Sequence, residues 1–180
     1  MAVLPIKIYG SKILREKAKK IEQIDDTVID YIRNMFETMR KAYGVGLAAN
    51  QVGIDKSIFV IDLKDVEGYE KFKPLVMINP EIIEKSDEFV SMEEGCLSLP
   101  TLRADVERPK EIKVRYLDTD ENIQEMEASD FLARVILHEY DHLIGKMIPD
   151  RVADEVKKQL KEQLEKIRKK EVEIDYPISD

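Results

Sequence analysis

The chain of 180 residues holds one cysteine and two histidines. Cys96 has no partner for an internal disulfide. It is left as a small core residue, a reactive thiol or a metal ligand. No run of about 18 apolar residues occurs, which excludes a transmembrane helix. Met1-Ala2-Val3-Leu4-Pro5 lacks a charged segment followed by a long apolar stretch. No secretory signal is therefore expected, and the cytoplasm is the expected location. Positive charge is in deficit. The net charge of −8 argues against a nucleic-acid-binding domain taken as a whole. There is no internal repeat and no low-complexity linker, so residues 1–180 are expected to form one domain with a sizeable core. The charged fraction, 37%, is high and rich in Lys and Glu, which leans towards a surface of ion-pair networks.

Hydrophobic spacing predicts a mixture of elements. Val28, Ile29, Ile32, Met35, Phe36 and Met39 recur at helical spacing, predicting a helix over 25–43 with Asp25 or Asp26 as N-cap and Gly44 at its end. Residues 57–63 read as a buried strand, and further strands are expected at 75–84, 86–93, 103–108, 111–118 and 123–128. A helix over 129–143, N-capped by Ser129 or Asp130 and closed by Gly145, is apolar on nearly every side, the mark of a buried helix. A third, charged helix over 152–170 carries Val152, Val156, Leu160, Leu164 and Ile167 as its stripe. Strands and helices without strict alternation predict an α+β fold: mixed or antiparallel sheets packed around the central buried helix, with a C-terminal helix.

Both histidines lie on the buried helix, in His138-Glu139-Tyr140-Asp141-His142. Residues four apart share one helix face, so two imidazoles can bind one metal ion. Glu139 sits roughly 100° round the helix, free to handle protons beside it. A catalytic site usually has three protein ligands and an open position, where a bound water has its pKa lowered towards neutrality. Cys96, in Glu94-Gly95-Cys96-Leu97-Ser98, is the obvious third ligand. The plainer readings are a small core cysteine, two core histidines and a solvated glutamate. The pairing of the histidines with Glu139 on an apolar helix weighs against them, because an unpaired buried carboxylate is costly. A second segment, Gly44-Val45-Gly46-Leu47-Ala48-Ala49-Asn50-Gln51-Val52-Gly53, permits close backbone approach to a ligand, and the Gln51 amide can donate to an oxyanion. It is no nucleotide-binding fingerprint, since no strand precedes it and the glycine spacing is wrong.

Together these segments resemble the peptide deformylases, whose pattern runs Gly-x-Gly-x-Ala-Ala-x-Gln, then Glu-Gly-Cys-Leu-Ser, then His-Glu-x-x-His. All three are present, at 44–51, 94–98 and 138–142. Val52-Gly53, Asn79-Pro80, Arg108, Ala133-Arg134, Gly145 and Asp150-Arg151 extend the likeness over roughly residues 4–152. The resemblance implies a metal-dependent hydrolase that removes the formyl group from the N-terminal formylmethionine of new polypeptides. It implies that Cys96, His138 and His142 hold one divalent ion, Fe(2+) in the cell, with Zn(2+), Ni(2+) or Co(2+) as substitutes. Glu139 becomes the acid and base, and the Gln51 amide and Leu97 N–H the oxyanion donors. Val45, Gly46 and Gly95 would align the peptide as an added strand. The methionine pocket would take Val45, Met92, Phe131, Arg134, Val135 and His138.

Some positions depart from the family. Leu137 stands where Gln is usual, Asn50 where Pro, Ser or Thr is common, and Asn122 and Asp130 where Gly is frequent. Asp141 and Arg108 are expected to pair and steady the helix. The C-terminal helix is basic between Lys157 and Lys170, which reads first as a solvated face and second as a surface for ribosomal RNA. The rival to a deformylase is a zincin-type peptidase, with Glu155, Glu162 or Glu165 as third ligand. A non-catalytic peptide-binding module is the other alternative, although every chemical residue is present. Cys96→Ser separates the first two: metal content measured after dialysis should collapse in a deformylase and hold in a zincin.

Overall fold

The computed structural model describes residues 1–179; Asp180 lies outside them. Helix α1 covers Asp26–Lys41, and the Asp25 carboxylate caps it by accepting from the Val28 N–H at 3.0 Å. The strands are β1 (Ile6–Lys7), β2 (Gly46–Ala48), β3 (Ile58–Ile61), β4 (Leu75–Lys85), β5 (Phe89–Cys96), β6 (Leu99–Pro109), β7 (Glu111–Leu117), β8 (Ile123–Ser129) and β9 (Ile178–Ser179). Helix α2 covers Asp130–Leu143 and α3 covers Asp154–Arg168. A sheet in the order β2-β3-β4-β7-β8 is antiparallel throughout, β5 and β6 form a separate hairpin, and β1 lies parallel to β9. The fold is α+β.

The run Ile58-Phe59-Val60-Ile61 explains how the main sheet is covered. Side chains alternate across a strand. Phe59 and Ile61 pack with Ala133, Ile136 and Leu137 of α2, whereas Ile58 and Val60 pack with Val28, Ile32, Met35 and Met39 of α1. All four strand residues are therefore buried. The hairpin follows the same logic: Leu102, Ala104 and Val106 of β6 meet Leu160, Leu164 and Ile167 of α3.

The departures from expectation have local causes. The first helix stops at Lys41, and it is Tyr43 (φ 57), not Gly44, that takes the left-handed turn. Gly44 is needed for close approach instead, since a Cβ there would meet Leu97 Cδ1 at 2.8 Å. Ser129 is the N-cap of α2 but makes no side-chain cap bond. Asp130 sits at φ 53, a conformation that Gly adopts freely and Asp tolerates, which accounts for the exchange with Gly. Gly145 (φ 74) closes α2 as expected, where a Cβ would fall 2.5 Å from the Arg15 carbonyl oxygen. Leu137 is buried among the sheet-facing residues, so it extends apolar packing. Strands β2, β1 and β9 were not expected, β5 starts later than 86 and runs on to Cys96, and β6 starts at Leu99 rather than 103.

Candidate active site

Helix α2 brings His138 and His142 to one face, with ring centroids 5.0 Å apart. Their Nε2 atoms lie 3.3 Å from each other, and Cys96 Sγ lies 3.3 Å from His142 Nε2. The three ligand atoms fall within 4.8 Å of one another. A tetrahedral ion bound about 2.1 Å from nitrogen and 2.3 Å from sulfur spaces its ligands by roughly 3.3–3.6 Å, so the group fits such an ion. Glu155, Glu162 and Glu165 lie instead on α3, with Glu165 engaged by Arg168 and Lys169, and the zincin arrangement is absent among the described residues.

The ring orientation of His138 is fixed from behind. Its Nδ1 lies 2.9 Å from the Glu94 carboxylate, which directs the lone pair of Nε2 towards Cys96 and His142. Glu94 also receives two bonds from the Arg108 guanidinium, at 2.6 and 3.0 Å, and one from Arg134 at 2.7 Å. Arg108 continues to Asp141 at 2.8 Å, confirming the expected pair, and Asp141 accepts two bonds from Arg151. Glu94, Arg108, Arg134 and Asp141 are all buried. The sequence signal for this hub lies in the motif Glu94-Gly95-Cys96, but an acid on a strand reads as solvent-facing until its partners are placed.

Gln51 occupies a 3₁₀ turn, Ala49–Val52, between β2 and β3. Its Oε1 accepts from the Ala48 N–H at 2.9 Å, which orients Nε2 to donate to Ser98 Oγ at 3.1 Å and towards Cys96 Sγ at 3.6 Å. The neighbouring Asn50 donates to the His142 carbonyl at 2.5 Å and so ties this turn to the end of α2. Cys96 pairs with Leu99, leaving Leu97 and Ser98 as the tip of the β5–β6 hairpin. Gly46 faces Glu139 closely: a Cβ there would lie 2.5 Å from Oε1.

These groups open onto a cavity of about 500 Å³. Its lining includes Gln51, Cys96, Leu97, His138 and Glu139. Of the expected pocket residues, Val45, Gly46, Gly95, Phe131, Arg134 and Val135 also line it. Arg134 does so while its guanidinium is spent on Glu94 and on the carbonyls of Val90 and Val106. Met92 is the exception; it sits half-buried on β5 opposite Val106 and outside the lining. Ser98, Asp175 and Tyr176 were not anticipated, although the last two form part of the cavity wall.

Burial pushes the Glu139 carboxyl up to about 7, and its Oε2 has no partner. Burial opposes charge on Glu94 as well, but His138 and Arg108 hold its carboxyl well below the usual range. Burial also works against a charged His138, yet Cys96 and Glu94 raise its pKa well above 6.5, while burial and the charge on His138 push His142 well below that value. A divalent cation held by Cys96, His138 and His142 would supply the positive charge that these groups otherwise draw from a proton.

A half-buried Cys-His-His set able to hold a metal ion, with a buried acid beside it on an open cavity, is the arrangement of a metal-dependent hydrolase. Comparison with known proteins narrows the class. The profile of the family described as polypeptide deformylase matches residues 3–158. The peptide deformylase of Rickettsia canadensis is 43% identical over 93% of this chain and 98% of its own length. That of Chlorobium phaeobacteroides is 42% identical over 98% and 95%. Among solved structures, a Synechococcus elongatus peptide deformylase in complex with actinonin aligns with TM-score 0.81 at 42% identity, covering 91% of this chain and 85% of that one. The Thermotoga maritima enzyme aligns with TM-score 0.79 at 41% identity, covering 85% and 99%. The chain belongs to the polypeptide deformylase family, enzymes that remove the N-terminal formyl group from new polypeptides.

The Glu94 network predicts a stability effect. Glu94→Gln leaves Arg108 and Arg134 buried beside a neutral amide, and unfolding in denaturant should show a loss of about 3–5 kcal/mol, with metal affinity reduced about tenfold or more. An unchanged unfolding midpoint would show that the network carries no stability.

Proposed function

We propose that this chain deformylates formylmethionyl peptides with Glu139 carrying the proton and the Gln51 amide and Leu97 N–H stabilising the oxyanion. The supporting observation is the convergence of the Cys96-His138-His142 group, Glu139 and Gln51 on one cavity. An ion held by Cys96, His138 and His142 would act as a Lewis acid and activate water. Ferrous iron is the ion we assign in the cell; Zn(2+), Ni(2+) and Co(2+) suit the same donors.

The protein's own groups do the rest. Glu139 is 4% exposed and has an unpartnered carboxylate oxygen, so it is placed to take a proton from the attacking water. Once attack on the formyl carbon has formed the tetrahedral intermediate, the same carboxyl returns the proton to the departing amine. Gln51 is held by Ala48 and Ser98, which leaves the N–H that points at Cys96 to meet the developing oxyanion. The peptide lies as an added strand against Val45, Gly46 and Gly95. Phe131, Val135 and the stem of Arg134 receive the methionine side chain. The whole of 1–180 acts as one catalytic domain, in the cytoplasm. No helix among the described residues is long and apolar enough to cross a membrane.

Docking on the ribosome through α3 is a further part of this reading. Lys157, Lys158 and Lys161 are exposed, whereas Lys166, Arg168 and Lys169 are already engaged by Glu162 and Glu165. Cutting the helix off is no test, because Leu160, Leu164 and Ile167 belong to the core. Replacing Lys157, Lys158 and Lys161 with Glu should abolish the salt-sensitive part of cosedimentation with ribosomes; undiminished cosedimentation removes the docking role. For the chemistry, Gln51→Ala should keep one metal per chain and lower kcat on a formyl-Met peptide about 10²–10³-fold. Wild-type turnover in a folded variant would take Gln51 out of the mechanism.

A further inference from the structure

The segment that follows α3 returns to the active site. β9 pairs with β1, and the Ile6 N–H donates to the Pro177 carbonyl at 2.8 Å. Just before β9, Tyr176 forms part of the cavity wall, and its hydroxyl donates to the Leu97 carbonyl at 2.6 Å. The residues after β1 reach the same hairpin tip, where the Tyr9 N–H donates to the Ser98 carbonyl at 2.9 Å. The segments flanking two mutually paired strands therefore each deliver one hydrogen bond to the Leu97-Ser98 turn that follows Cys96.

That turn has no ladder of its own. Leu97 and Ser98 lie beyond the last paired residues, Cys96 and Leu99, so their carbonyls must find partners outside the hairpin. The Leu97 carbonyl and N–H flank one Cα, and only two soft backbone torsions separate their directions. Anchoring the oxygen narrows the range open to the N–H. The Leu97 side chain, packed against Gly44, restrains the residue from the other side. Burial, then the nearby Cys96 and Asp175, raises the Tyr176 phenol above its ordinary value, which keeps it a donor.

The geometry points to Tyr176 as a positioning residue for deformylation: by holding the Leu97 carbonyl it aims the Leu97 N–H at the oxyanion, and it makes the segment after α3 part of the catalytic apparatus. This rests on the oxyanion role given to Leu97 above.

The test uses the full-length, metal-loaded enzyme and a formyl-Met peptide. Tyr176→Phe removes one oxygen and should lower kcat about threefold to tenfold, the scale of one neutral hydrogen bond, with KM and metal content unchanged in a protein that stays folded. A second protein carries the α-hydroxy acid of leucine at position 97, which deletes only the N–H, and should lose about 10²–10³-fold in kcat. Adding Tyr176→Phe to that ester protein should cost nothing further. Unchanged kcat in Tyr176→Phe overturns the proposal, as does a raised KM alone, which would make Tyr176 a wall of the cleft. A fall in bound metal overturns it in favour of an effect through Cys96, and losses that multiply in the combined protein show that Tyr176 acts apart from the Leu97 N–H. If the ester protein turns over at the wild-type rate, the Leu97 reading itself fails, whatever Tyr176→Phe does.

Discussion

One buried carboxylate, Glu94, joins the hairpin to helix α2. It accepts from Arg108, Arg134 and His138, and Arg108 passes the connection to Asp141 on the same helix as the histidines. Charges in such surroundings are stable only together, because removing one leaves its partner in a medium that solvates it poorly. The network therefore holds β5 and α2 in one relative position. Cys96 follows Glu94 by two residues on β5, while His138 and His142 are carried by α2. The geometry of the ligand group is set by the electrostatics behind it.

The apolar layers give that network its low-dielectric setting. Helix α2 is covered by the main sheet through Ala133, Ile136 and Leu137, and the β3 residues beneath it are covered in turn by α1. Glycine has its part where two elements approach closely. At Gly46 any larger residue would collide with the Glu139 carboxylate, and at Gly44 with the Leu97 side chain. Gly44 and Gly46 serve close contact with Leu97 and Glu139, not reversal of the chain.

Much of the site was legible because its information is local. The spacing of His138 and His142, the acid between them and the apolar surround of their helix follow from helical periodicity alone. The helices and the middle strands were legible for the same reason. What remained hidden is non-local. β2 is three residues long and rich in small side chains, so it carries no alternating signature. The pairing of β1 with β9 joins residues from opposite ends of the sequence, two at a time, and nothing in either pair announces the other. Glu94 could be read as part of a motif but not as a hub, since its partners come from β6 and α2. Likeness to the family places Met92 in the pocket, whereas Met92 pairs with Val106 on the hairpin and lies outside the cavity lining.

The terminal pairing has a consequence for how such an enzyme comes into being. Strand β1 leaves the ribosome well before β9, so it waits, unpaired, while every element between the two is made. The sheet, α1 and α2 can settle in the meantime, since their contacts lie within the intervening sequence. The hairpin tip beside Cys96 gains its bond from Tyr176 only after the intervening sheet and helices have been made. A catalyst that trims newborn chains thus has its own cavity wall completed only once translation has carried β9 within reach of β1.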